Sequence, residues 1–218
     1  LEKKDFEKAI DEVIKNSKER KFDESLEVIV ALKNIALKNK EQRIDFFVNL
    51  PHPYRTKINS AIFLKDKNLA SQAKGIVDKI ILEEEINNIS KKDAKKLAKE
   101  YDVFLAEGPV MLTVGKKLGQ VLSPRNKMPV IAPPNIEAIK TLLKTSIAKQ
   151  KISNKKNKSS VAIQTKFGKR SLSVSDLAEN AGVIYNAVVD KLPNGKYNVK
   201  HVFIKTTMGS PIKVGENK

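Results

Sequence analysis

Residues 46–53 read Phe46-Phe47-Val48-Asn49-Leu50-Pro51-His52-Pro53. Ile44, Phe46, Val48 and Leu50 recur at every second position, the period of a half-buried strand. Two prolines flanking one residue then stop helix and ladder alike, because each fixes its own φ and removes a backbone donor. The stretch therefore predicts a strand running into a stiff connector at a domain edge.

Upstream of it, residues 5–20 predict an amphipathic helix with Phe6, Ile10, Val13 and Ile14 on one face. Leu26, Val28, Val30 and Leu32 alternate as a strand. Downstream, residues 57–150 change texture to short unalternating apolar runs between helices. Runs at 58–64, 79–82 and 102–106 predict strands, and 68–74, 91–100, 109–118 and 136–143 predict helices, with Asn135 as a cap. Strands of this kind imply a parallel sheet covered on both faces. Pro124, Pro129, Pro133 and Pro134 predict a long irregular loop over 123–134. In the last third, 161–166 predicts a strand. Ser175 opens a helix with Leu177, Ala181, Ile184 and Val188 on its apolar face, Asn194-Gly195 is a turn, and 197–205 a strand.

Each outer segment thus supplies one helix and two strands, too little to bury a core alone. The expected organisation is a first domain assembled from residues 1–56 and 153–218, interrupted by an inserted domain over 57–152. Two connectors, near 51–56 and 151–158, would cross the boundary and form a hinge.

The 218 residues carry 42 Lys+Arg against 25 Asp+Glu, a formal charge of +17. The excess is uneven: residues 1–56 hold 12 basic and 11 acidic side chains, 57–150 hold 17 and 10, and 151–218 hold 13 and 4. Lys151, Lys155, Lys156, Lys158, Lys166, Lys169 and Arg170 crowd one stretch. Such a cluster repels itself unless a polyanion approaches, and nucleic acid is favoured over membrane because no long basic amphipathic helix accompanies it. With no cysteine, disulfides, thiol nucleophiles and thiolate metal sites fall away together. His52 and His201 form no metal-binding pair, and no apolar run or leader peptide marks a membrane or secretory route. A soluble cytoplasmic protein is expected. The stretch from Gly108 to Lys117 has six residues between its glycines where a phosphate loop needs four, and Lys117 where a hydroxyl should stand. No catalytic group, cofactor or metal is nominated. The competing class is an α/β enzyme acting on a nucleotide or phosphorylated substrate through residues 57–150.

Four outer segments stand apart. Thr206-Thr207-Met208-Gly209 ends the last strand, where hydroxyls and a glycine allow close approach to phosphate or 2′-OH groups, although alone it reads as a polar strand end. Lys21-Phe22-Asp23-Glu24-Ser25 places an aromatic beside a cation, although Phe22 alone reads as a core plug. Lys155, Lys156, Asn157 and Lys158 form a basic loop, and Gly168-Lys169-Arg170-Ser171 a basic turn.

In this order, with Val48-Asn49-Leu50-Pro51-His52, residues 119–129 and Glu179-Asn180, these segments resemble the ribosomal protein L-one family, in wording closest to its archaeal branch. The resemblance covers nearly the whole chain. It implies an α/β fold class: a two-layer α+β discontinuous domain plus an inserted three-layer, Rossmann-like α/β domain. It implies a structural, non-enzymatic, cofactor-free protein of the cytoplasmic ribosome, monomeric when free. Its partners would be a large-subunit rRNA stalk segment, its own mRNA, which it would repress, and tRNA leaving the exit site. The implied RNA-binding residues are Lys21, Phe22, Ser25 and Glu27, then Lys155, Lys156, Asn157 and Lys158, and finally His201, Thr206, Thr207, Met208 and Gly209. Three departures stand out: Ser210 precedes Pro211, Ser123 and Asn126 replace two glycines, and His201 replaces a small hydroxyl residue.

Overall fold

The computed structural model describes residues 1–35, 44–154 and 161–215. The chain forms two compact units, Leu1–Tyr54 with Ala148–Lys218, and Arg55–Ile147.

The discontinuous unit begins with α1 (Lys3–Asn16), whose Phe6, Ala9, Ile10 and Val13 are buried at helical spacing. The helix stops short of residue 20. Ser17 is extended, and its hydroxyl donates to Ile14 O at 2.9 Å, satisfying a carbonyl the helix end would leave open. Strands β1 (Ser25–Leu32) and β2 (Asp45–Asn49) follow. After the other unit come β7 (Lys149–Ser153), β8 (Ala162–Lys169), α7 (Val174–Lys191), β9 (Val199–Thr206) and β10 (Ile212–Lys213). The sheet order is β10-β9-β1-β8, with every neighbouring pair antiparallel. Leu26, Val28, Val30, Ile163, Phe167, Val202 and Ile204 share one core with the apolar faces of α1 and α7. The opposite face, with Gln164, Lys166, His201, Phe203 and Lys205, stays at least partly open to solvent.

Three local features differ from the sequence reading. Residues 149–153 form a strand paired with β2, Phe46 opposite Ile152 and Val48 opposite Gln150, where a lysine-rich connector was expected. The segment gives no alternation to read, because only Ile152 is buried. The units consequently part at Ile147/Ala148, a few residues before 153. Ser173, rather than Ser175, caps α7 by accepting from Asp176 N. The segment after Asn194-Gly195 is a 3-10 turn, Gly195–Asn198, and β9 starts only at Val199.

The connector 51–54 is fixed on α7. The Asn180 amide, wholly buried, accepts from His52 N at 3.0 Å and donates to His52 O at 2.7 Å and Phe167 O at 2.9 Å. His52 Nε2 lies 2.7 Å from Glu179 Oε2, and Lys3 Nζ 2.6 Å from Glu179 Oε1. The Lys3 hydrogen bond first, and the His52 bond second, hold the Glu179 carboxyl below its ordinary 4.5. A depressed carboxyl stabilises the fold above its unfolded value and ceases to as pH falls through the lower folded one. Acidification below 4.5 should therefore destabilise the wild type more steeply than Glu179→Gln. Urea midpoints measured on both sides of that value check this; identical pH profiles would refute it.

The second unit holds β3 (Ser60–Leu64), α2 (Lys67–Ala73), β4 (Lys79–Leu82), α3 (Glu83–Ile86), α4 (Lys91–Glu100), β5 (Val103–Glu107), α5 (Val110–Leu122), β6 (Val130–Ala132) and α6 (Ile136–Ala148). Its sheet, ordered β4-β3-β5-β6, is wholly parallel. Side chains alternate between two cores: Ala61, Phe63, Phe104 and Ala106 meet α3, α4 and α5, whereas Ile62, Leu64 and Leu105 meet α2 and α6. This is a three-layer α/β unit. The expected irregular loop 123–134 contains β6, too short to show a period, and a 3-10 turn at Ser123–Arg125. Asn126 closes that turn at φ 55° and ψ 36°, a left-handed conformation that asparagine tolerates better than other non-glycine residues. The exchange of glycine for Asn126 thus preserves the turn.

Candidate nucleic-acid interface

Antiparallel pairing sets Leu26 opposite Thr206 and Glu27 opposite Lys205, so the start of β1 and the end of β9 meet at one edge of the unit. Thr207 N donates to Ser25 O at 3.0 Å. The Thr207 hydroxyl lies 3.2 Å from Ser25 O and 3.0 Å from Glu27 Oε1, sharing its one proton between them. Glu27, nearly buried, also accepts from Gln164 Nε2. Met208 N donates to Glu24 Oε1 at 2.9 Å, and Gly209 N to Thr206 O at 3.1 Å. The turn is therefore held by carboxylates on both sides of β1.

The loop before β1 is fastened from β8. Asp23 accepts from Ser171 N at 3.2 Å and Ser171 Oγ at 2.9 Å, with Lys169 Nζ 3.6 Å away. Arg170 N donates to Glu24 O at 2.9 Å. With its backbone tethered, the loop leaves Lys21 and Phe22 in solvent, and Phe22 is 60% exposed. Phe22 is thus no core plug. Met208, 64% exposed, stands at the turn that the same loop holds through Glu24. Two exposed apolar side chains anchored by charged hydrogen bonds beside Lys21, Lys166, Lys169, Arg170 and Lys205 suit bases that stack and phosphates that need cations.

Three of the four singled-out segments converge here. Lys155, Lys156, Asn157 and Lys158 lie outside the described residues. Thr206, expected among the RNA-binding residues, has its side chain wholly buried on the helix-covered face. His201 sits apart from the cluster, opposite Ala31 and about 17 Å along β9 from Thr206 at strand rise. It packs edge-on against Phe203 at 6.0 Å. Glu24 was not proposed as a site residue, although alternation through Glu24, Leu26 and Val28 already placed its carboxylate on the core face.

The enzyme alternative needs the crevice at the C-terminal ends of the parallel strands. There, Lys65 N and Asp66 N donate to Glu107 Oε2 at 2.8 and 3.3 Å, so the chain's own carboxylate occupies the amides that would receive a phosphate. A cavity of about 540 Å³ beside it is lined by Lys65, Lys67, Glu83, Glu84, Asn87 and Thr113. Within it, Thr113 donates to Glu83 at 3.0 Å, and Lys65 and Lys67 each lie 4.0 Å from a glutamate. Among the described residues no group of three or more carboxylates or histidines could hold a metal ion, and no helix is long and apolar enough to cross a membrane.

Residues 13–210 match the Ribosomal protein L1p/L10e family. The chain is 37% identical to the large ribosomal subunit protein uL1 of Pyrococcus abyssi over 94% of its own length and 93% of that protein's. It is 36% identical to uL1 of Thermoplasma volcanium, covering 97% and 96% of the two chains. Against uL1 of Archaeoglobus fulgidus it is also 36% identical, covering 98% and 99%. With the strand-end cluster and the inserted parallel-sheet unit, a match of this extent means that the chain belongs to the ribosomal protein L1p/L10e family.

Proposed function

We propose that this protein binds large-subunit rRNA through the strand-end cluster of its discontinuous unit, residues 1–56 with 153–218. The observation carrying the proposal is the Thr207-Met208 turn, hydrogen-bonded to Ser25, Glu27 and Glu24 and flanked by exposed Phe22 and lysines. Such a cluster is preorganised, so little ordering is lost on binding. Basic side chains supply salt-dependent attraction, while the turn reads the shape of an irregular RNA. The finer role we assign is the mobile lateral stalk, which assists deacylated tRNA in leaving the exit site, together with repression of its own mRNA through a similar RNA structure. The inserted unit, 57–152, would ride on the stalk as a separate body, and the free protein would be a monomer. The work is structural and needs no cofactor or catalytic group.

The test separates attraction from readout. Filter binding to a synthetic stalk segment of archaeal large-subunit rRNA and to an unrelated duplex is measured across a salt series. Lys156→Ala or Lys158→Ala should weaken both RNAs alike and flatten the salt slope by about one. Met208→Ala should weaken the stalk segment alone, by roughly tenfold, at an unchanged slope. Equal losses on both RNAs from all three variants would leave only general electrostatic attraction.

A further inference from the structure

Helix α4 of the inserted unit carries lysine at the spacing where a packed helix carries its apolar side chains. Lys92, Lys95, Lys96 and Lys99 recur at i, i+3, i+4 and i+7, which makes one stripe about 100° wide. All four are exposed, on the side of the helix away from buried Ala94 and Ala98. Among the described residues none of them has a carboxylate within ion-pair distance, although four other lysines of the same unit each do. The acids of α4 lie off the stripe: Asp93 accepts from Ser90 Oγ at 2.6 Å and Glu100 from Tyr101 OH at 3.3 Å. Lys92 with Lys96, and Lys95 with Lys99, are like-charge pairs one turn apart, which weaken the helix that holds them. Lys116 and Lys117 on α5, which shares a core with α4, are exposed and equally without an ion-pair partner among the described residues.

A fixed row of unpaired like charges is relieved by a polyanion. The row is built before any ligand arrives, because Ser90 Oγ caps the helix by accepting from Asp93 N at 3.2 Å. Its surroundings choose among polyanions. The one large apolar side chain of α4, Leu97, packs against the core, so the helix has nothing to insert into a bilayer and nothing on which a base could stack. What remains is recognition of charge alone, by ammonium groups that act as point charges. A nucleic-acid duplex answers that best, since each phosphate neutralised releases condensed counterions, whereas a flexible acidic peptide must be ordered as it binds. Resting on the RNA-binding reading above, we infer that the α4–α5 layer of the inserted unit is a second, sequence-neutral RNA-docking surface, taking the sugar-phosphate backbone of a duplex along Lys92, Lys95, Lys96 and Lys99. It belongs to the other compact unit and is therefore separate from the strand-end cluster.

The test compares two full-length variants of equal net charge by filter binding to an unrelated RNA duplex across a salt series. One carries Lys92→Gln, Lys95→Gln, Lys96→Gln and Lys99→Gln. The other carries Lys74→Gln, Lys79→Gln, Lys140→Gln and Lys144→Gln, four exposed lysines outside the α4–α5 layer. Glutamine matches lysine in helix propensity, so both should fold, which circular dichroism checks. The α4 set should flatten the salt slope by about three and cost about tenfold or more in affinity at low salt, and the other set should flatten it by less than about one. Equal changes in the two variants, or none in the α4 set, would overturn the proposal by leaving net charge alone. It would also be overturned if the α4 set weakened binding to phosphatidylglycerol vesicles or to polyglutamate more than to the duplex. The strand-end reading is judged apart, by Met208→Ala on the stalk segment; a wild type that binds neither RNA would overturn both.

Discussion

Replacing Asn180 by alanine should destabilise the discontinuous unit by about 2–4 kcal/mol. The side chain is wholly buried, and its amide satisfies His52 N, His52 O and Phe167 O at once. Alanine leaves three backbone groups without partners, each costing about 1–3 kcal/mol where water cannot enter. Half-burial of His52 lets solvent recover part of that, which keeps the total below the sum. Asn180→Asp should be worse, because it deletes the donor and buries a charge. Urea denaturation followed by circular dichroism reads the effect as a lowered midpoint at constant slope. A loss under about 1 kcal/mol in Asn180→Ala would mean that the connector is held by Glu179 and packing instead.

Gly209→Ala should lower affinity for the stalk segment by about ten- to a hundredfold, with a stability loss of only about 1–3 kcal/mol. A β-carbon at Gly209 would lie well inside contact distance of the Thr206 hydroxyl oxygen. Thr206 is β-branched and wholly buried, so it has little rotamer freedom with which to yield. The turn must shift, carrying Met208 N off Glu24 and the exposed Met208 side chain out of register. Thr206→Ala in the same chain removes the clashing oxygen and should restore most of the affinity, a double-mutant cycle that isolates the contact. Affinity within threefold of wild type in the single variant would show that the turn relaxes without moving its outer surface.

Pattern at two periods made much of this protein legible in its sequence. The alternation in β1, the unalternating runs at β3, β4 and β5, and the helical spacing of Phe6, Ile10 and Val13 all come from solvent contrast along a local element, which needs no knowledge of partners. The proline pair at 51 and 53 marked one crossing between units for the same local reason. Strand β7 could not be read this way, because a single buried residue, Ile152, gives no period; pairing with β2 makes it a strand. Glu179-Asn180 entered the reading only as one of the segments that carry the resemblance, and only folding delivers His52, 128 residues away, to the Asn180 amide. The same holds at the candidate site. Residue types at 21–27 and 206–209 suggested an RNA surface, but a lone sequence gives Phe22 no side and Thr206 no face. Antiparallel register decides both: it puts Thr206 and Leu26 under the helices, leaves Thr207 and Met208 outside, and turns Glu24 and Glu27 into the two clamps of the turn. Local chemistry therefore chose the elements, and long-range pairing, which no local period encodes, chose which side chains meet.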